Sequence, residues 1–277
     1  MDKIVFNILD DVFSHDKYSV AGRESEFIYW DRELKNKSLP TFYSHNKIPS
    51  ITQNITPKEN SYGWIFESRA IIPAVYSGVE PFIPNFNKVF THSSVLLEKF
   101  PNCHWIPGGG IWIGGTYGKG EIKIFEKTKL CSMVSSYKTM CDLHRQRLNV
   151  ASFLHLKSNV DVFGLDRWVP INETLEPYMF SIVVENFQDE LYFTEKLLNC
   201  FATGTVPIYL GAKNINQKFN IDGIIQINSL LELNQILPTL SKELYESKRV
   251  SIEDNFERCL QYKSLEDYIF KNYFTNE

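Results

Sequence analysis

YMFSIVVENFQDELYFTEKLLNCFATGTVPIYLG, residues 178–211, sets an apolar strand, the carboxylates of Glu185 and Glu195, Tyr192, Lys196 and a helix start inside one short neighbourhood. Ile182, Val183 and Val184 make a buried run that stops at Glu185-Asn186, and Leu197, Leu198 and Phe201 then repeat at helical spacing until Gly204. The pattern predicts a strand over 180–184, a helix over 194–203 opening at Thr194, and a second strand over 206–210. A helix mouth carries free backbone N–H groups and the positive end of the helix dipole. Lys196 adds a full charge, so the first turn suits an anion such as a nucleotide pyrophosphate. Glu195, which only accepts hydrogen bonds, is placed to hold a ribose diol beside it. Taken alone, Thr-Glu-Lys at a helix start is also ordinary capping and surface charge.

Strand and helix alternate outward from this stretch. Upstream the spacing predicts a strand over 130–135, a helix over 139–156 and a strand over 160–163; downstream it predicts a strand over 224–227 and helical segments to the C-terminus. Strands separated by helices predict a parallel sheet covered on both faces, with ligand at the carboxyl ends of its strands. The first hundred residues predict short strands over 4–8, 27–30, 88–91 and 103–106, a helix over 93–100, and a polar loop over 35–60 rich in Asn, Ser, Pro and Lys. Between Pro107 and Gly120 seven of the 14 glycines gather, which marks a backbone that bends or approaches something closely. A domain boundary is set there, giving domains over 1–115 and 116–250. The segment 251–277 then follows as a C-terminal helix that crosses back to the first domain, a reading favoured over an oligomer contact.

Composition narrows the function classes. With 277 residues, 43% of them hydrophobic, the chain can bury two medium cores, and a net charge of −4 argues against binding nucleic acid through a broad basic face. Any phosphate site is local. The five cysteines are scattered and never form a CxxC pair, so neither a disulfide framework nor a zinc site is expected. The six histidines lack ligand spacing, and Asp10-Asp11 and Asp161-Val162-Phe163 make no DxD triad, so no metal site is expected. No cofactor is required on this reading, although a divalent cation stimulating the reaction near a diphosphate stays open. The N-terminus shows no secretory signal, and no run of about 20 apolar residues spans a membrane.

Glu185-Asn186, the string Tyr192-Phe193-Thr194-Glu195-Lys196 and the run Gly204 to Gly211 together resemble the donor-binding signature of the α1,3/4-fucosyltransferase family, glycosyltransferase family 10. The likeness extends less tightly through Lys129 to Ser136, Arg147, Val160 to Gly164, and Phe66-Glu67-Ser68. It implies a GT-B type α/β fold, two Rossmann-like domains facing a cleft. It further implies an inverting transfer of fucose from GDP-fucose to an acceptor glycan hydroxyl, in an α1,3-type linkage. The soluble bacterial or viral members are the nearer match, which sets the expectation of a cytoplasmic protein, with peripheral membrane attachment left open. The resemblance places Arg147 on phosphate and Lys196 beside it, with Glu185, Asn186, Tyr192, Thr194 and Glu195 completing the donor site. Glu67 is the implied general base and Glu80 the reserve. From the residues alone, Glu67 reads also as a strand-end carboxylate paired with Arg69, and Arg147 as a surface cation. The same scaffold using another nucleotide sugar such as GDP-mannose, or a noncatalytic carbohydrate-binding protein, are the alternatives.

Overall fold

A computed structural model describes residues 3–10, 23–157, 159–165 and 168–275. The chain divides into two compact units, Met1–Gly110 with Tyr262–Glu277, and Ile111–Gln261. The division falls inside the glycine-rich stretch, where Gly118 has no room for a Cβ, which would meet the Trp112 carbonyl oxygen at 2.1 Å.

The first unit is a six-stranded parallel sheet built from β1 (Ile4–Leu9), β2 (Ile28–Asp31), β3 (Thr41–Ser44), β4 (Ser61–Ile65), β5 (Lys88–Thr91) and β6 (Cys103–Trp105), in the order β2-β1-β3-β4-β5-β6. Short helices α1 (Pro73–Gly78) and α2 (Ser94–Lys99) lie between its later strands. Parallel strands covered on both faces bury every position, and β3 and β4 do so throughout. One face is aliphatic and aromatic around Tyr43, Ile65, Phe86 and Val89. The other is a ring stack in which Phe274 packs on Phe6, Phe42, Tyr62 and Phe90 at centroid distances of 5.0–6.4 Å. The polar loop expected over 35–60 is therefore corrected: Thr41-Phe-Tyr-Ser44 is a central strand, hidden because four residues flanked by Asn, Ser and Pro are too short to show a period. A 3₁₀ segment, His45–Gln53, follows it.

The second unit carries β7 (Lys129–Val134), α3 (Asp142–Lys157), β8 (Val160–Phe163), β9 (Tyr178–Val184), α4 (Glu195–Thr203), β10 (Val206–Leu210) and β11 (Ile225–Gln226). It ends in α5 (Leu233–Ile236), α6 (Lys242–Ser247) and α7 (Arg249–Cys259). Its five parallel strands run in the order β11-β10-β9-β7-β8. From β7 the chain steps outward to β8, then returns to the other side of β7 to lay down β9. That reversal makes the carboxyl ends of β7 and β9 the topological switch point, where open α/β sheets bind ligands. The helices that follow those two strands are α3 and α4. After α7 the chain re-enters the first unit as α8 (Leu265–Tyr273), whose Glu266 accepts from Trp30 Nε1 at 3.3 Å and whose Asp267 accepts from Ser25 at 2.5 Å.

No described helix is long and apolar enough to cross a membrane.

Candidate functional site

The helix start read from the sequence is present and sharply capped. Thr194 is the N-cap of α4, its hydroxyl accepting the Lys196 N–H at 3.3 Å. Gly204, at φ +70, closes the helix with its N–H on the Cys200 and Phe201 carbonyls. A left-handed C-cap costs glycine least. Glu185, one residue past β9, is fully buried, and its two oxygens accept the Thr194 N–H at 2.9 Å and the Thr194 hydroxyl at 2.7 Å. Gly211 makes room for that carboxylate, since a Cβ there would meet Glu185 Cγ at 2.7 Å.

Lys196 is wrapped rather than free. Its Nζ donates to Glu195 Oε1 at 2.9 Å and to Thr194 Oγ1 at 3.1 Å, with Glu185 Oε2 3.6 Å away. Burial opposes its charge, but Glu195 and Glu185 outweigh burial and hold the ammonium above its ordinary range. Burial pushes the Glu185 carboxyl up, countered by Lys196 and the two Thr194 hydrogen bonds. Two donors of the helix mouth are thus committed internally, and Lys196 is already balanced by carboxylates.

Arg147 is different. It is 6% exposed, yet no described side chain pairs with its guanidinium, and its Nε is shielded from water without a hydrogen-bond partner. Burial depresses its pKa, and Glu185, Cys141 and Glu195 partly restore it, which places all three within electrostatic reach. A buried cation without a hydrogen bond is costly unless something arrives to pair with it. Arg145, two residues away, is exposed and bonded to Asp142 and to the Thr139 carbonyl. The contrast follows from helix geometry: 144, 147, 151 and 154 form one stripe at three- and four-residue spacing, occupied by His144, Arg147, Ala151 and Leu154, all buried. The first half of the stripe is polar and the second half is core.

His144 carries no motif in the sequence. It is 5% exposed with Nδ1 unpartnered; burial, then Arg147, Lys196 and Lys138, push the imidazole down to about 4. The only signal was its i−3 position relative to Arg147. Tyr192 is 1% exposed and donates its hydroxyl to Asn186 Oδ1 at 2.9 Å, while Cys141 Sγ contacts the Asn186 carbonyl at 3.2 Å. These contacts tie the polypeptide after β9 to the start of α3.

Glu67 lies in the first unit, two residues past β4. Its backbone is held by three side chains: the N–H donates to His45 Nε2 at 3.2 Å, the carbonyl accepts from Tyr76 at 2.8 Å, and His92 Nε2 lies 3.2 Å from that carbonyl. The Ser68 N–H donates to its carboxylate at 2.8 Å. Arg69 sits over the Tyr76 ring, 5.1 Å from its centroid. The reserve, Glu80, forms an ion pair with Lys99. Of the acidic pairs set aside above, Asp10 is bonded to Arg32, Asp161 to Tyr178 and Lys129, and Asp11 lies outside the described residues. Among the described residues no three His, Cys, Asp or Glu side chains gather as metal ligands.

Comparison with known proteins agrees with the resemblance read from the signature. Residues 124–249 match the family model described as Glycosyltransferase family 10 (fucosyltransferase) C-term. The alpha-(1,3)-fucosyltransferase FucT of Helicobacter pylori is 26% identical over 101 residues, 36% of this chain and 21% of the relative, so the match spans about a fifth of that protein's length. A crystal structure of an alpha1,3-fucosyltransferase with GDP superposes with a TM-score of 0.54 at 14% identity, covering 97% of this chain and 89% of the other. One with GDP-fucose gives 0.53 at 14% identity, covering 94% and 89%. The two-sheet parallel α/β architecture is therefore that of the GT-B type expected from the sequence.

Proposed function

We propose, from a second unit that carries the family 10 match, that this chain is an inverting glycosyltransferase moving fucose from GDP-fucose to a hydroxyl of an acceptor glycan without a required metal ion. The observation that carries the reading is the buried Arg147 on the helix after β7, its Nε unpartnered and its guanidinium paired with no described side chain, within electrostatic reach of Glu185, Glu195 and Lys196. Departure of GDP leaves negative charge on diphosphate oxygens, and preorganised cations in a water-poor site stabilise that charge better than water does. Arg147 offers a planar fork for two oxygens, while Lys196, already oriented by Thr194 and Glu195, adds a point charge. Glu185 works on the protein's side, fixing the cap of α4, and Glu195 remains at 15% side-chain exposure to accept from a ribose.

In the proposed reaction the acceptor oxygen attacks the anomeric carbon on the face opposite the diphosphate. The carbon–oxygen bond to GDP breaks, its electron pair leaves with the diphosphate, and a β-linked donor yields an α-linked product. The hydroxyl proton goes to a carboxylate, for which Glu67 is proposed from the Phe66-Glu67-Ser68 resemblance, with Glu80, ion-paired to Lys99, in reserve. A backbone clamped by His45 and Tyr76 suits a group that must keep its aim. The test is turnover of GDP-fucose against GDP-mannose in EDTA with a panel of glycan acceptors, with product anomeric configuration read by NMR. GDP-fucose-dependent α-product supports the reading; no GDP-sugar turnover with any acceptor, alongside glycan binding, overturns it in favour of a noncatalytic lectin-like protein.

A further inference from the structure

His144 and Arg147 stand one turn apart on a stripe that continues into the core as Ala151 and Leu154. A histidine this deeply buried normally finds a hydrogen-bond partner. Here Nδ1 is sealed from solvent and bonded to nothing, and the same holds for Arg147 Nε. Two polar side chains on one face, each with one orphaned nitrogen, both more than nine-tenths buried and both within electrostatic reach of Lys196, point to one missing acceptor-rich partner. A hydrophobic residue at 144 would bury more cheaply than an imidazole whose Nδ1 makes no hydrogen bond.

We propose that His144 is a neutral hydrogen-bond donor to the diphosphate of the nucleotide, a binding residue alongside Arg147. The inference rests on the nucleoside diphosphate reading of this site. The charged groups around the ring, Arg147, Lys196 and Lys138, are all cations and, with burial, keep the imidazole unprotonated at neutral pH. A neutral ring presents one N–H donor and one acceptor nitrogen. It therefore adds direction to a phosphate oxygen without adding a third charge, which would hold the departing GDP as well as the transition state. In this role His144 sets how the diphosphate lies against the fork of Arg147.

The experiment is calorimetric titration of GDP, and separately of guanosine, into the full chain as wild type, His144→Leu and His144→Gln. It is joined by long-range nitrogen–proton NMR of the wild-type histidine rings with and without GDP. Loss of one hydrogen bond to an anion weakens GDP about 10-fold in His144→Leu, with guanosine binding unchanged and His144→Gln, which keeps an N–H donor, lying between. GDP moves the His144 ring-nitrogen signals in the wild type while the ring stays neutral. Unaltered GDP affinity in His144→Leu, an equal loss for guanosine, or His144 signals indifferent to GDP overturns the inference, the NMR result standing even where a variant fails to fold. If the wild type binds no GDP at all, the functional reading itself falls, and that outcome is separable because it precedes any substitution.

Discussion

Replacing Arg147 by methionine should move stability and affinity in opposite directions. Methionine keeps the length of the stem in the stripe between His144 and Ala151 and removes the guanidinium of a residue that is 6% exposed, whose Nε has no hydrogen-bond partner and which pairs with no described side chain. Buried ionic groups replaced by apolar ones of similar volume often stabilise a fold, and for one unpaired cation a gain of about 1–2 kcal/mol is reasonable. For a unit of this size that corresponds to a rise in melting temperature of about 3–6 °C. The same change deletes the fork proposed to take two phosphate oxygens. With charge-assisted hydrogen bonds worth about 1.5–3 kcal/mol each and not additive, GDP affinity should fall about 100-fold. Differential scanning calorimetry with and without GDP reads both effects on one sample: the variant melts higher than wild type when empty and loses most of the GDP-induced shift. A variant that melts lower without GDP and keeps its GDP shift refutes the argument, because Arg147 would then be a structural cation. Stability given up for an unsatisfied group at a site is the trade expected of functional residues.

Glu67→Gln should bind GDP like wild type yet transfer fucose about 100-fold more slowly in a steady-state assay, and retained turnover removes Glu67 as base. Burial pushes Glu266 up to about 7, so its stabilising contribution is complete below its unfolded pKa near 4.5 and is lost as pH rises through 7. Glu266→Gln should therefore gain about 1–3 kcal/mol over wild type at pH 8 and little at pH 5, and urea midpoints that differ equally at both pH values contradict it. Lys127 is 9% exposed and donates to the Leu175, Glu176 and Thr203 carbonyls and to Thr205 Oγ1, with burial depressing its pKa to about 7. Its folded pKa lies below the unfolded one, so its contribution is complete above about 10.5 and shrinks as pH falls towards 7. Lys127→Met orphans those carbonyls and should cost about 2–4 kcal/mol, with the deficit widening between pH 7 and 9; a cost below 1 kcal/mol, or one flat with pH, is the opposing result.

What could be read from residues was local. Thr194 and Gly204 announce both ends of α4 because a cap and a left-handed terminator are chemical requirements of the chain itself, and the apolar run of β9 shows a strand buried on both faces. Non-local facts were hidden. The sheet position of β3 between β1 and β4 depends on pairing that no window of sequence contains, and Thr41 to Ser44 is shorter than any period that would expose it. His144 and Arg147 sit in the charged string Asp142-Leu-His-Arg-Gln-Arg147, which reads as a solvated helix face. Only once Ala151 and Leu154 are seen in the core does the stripe they belong to turn inward. The balance between the cations was also out of reach: from the residues alone Arg147 reads as a surface cation, yet it is buried with its Nε unpartnered, while Glu185, Glu195 and Thr194 surround Lys196.

The most direct test of the central claim is a crystal structure of the chain grown with GDP. The account requires diphosphate oxygens within hydrogen-bonding distance of the Arg147 guanidinium, at the carboxyl ends of β7 and β9. Nucleotide bound elsewhere, or bound there with Arg147 still unpaired, would contradict it.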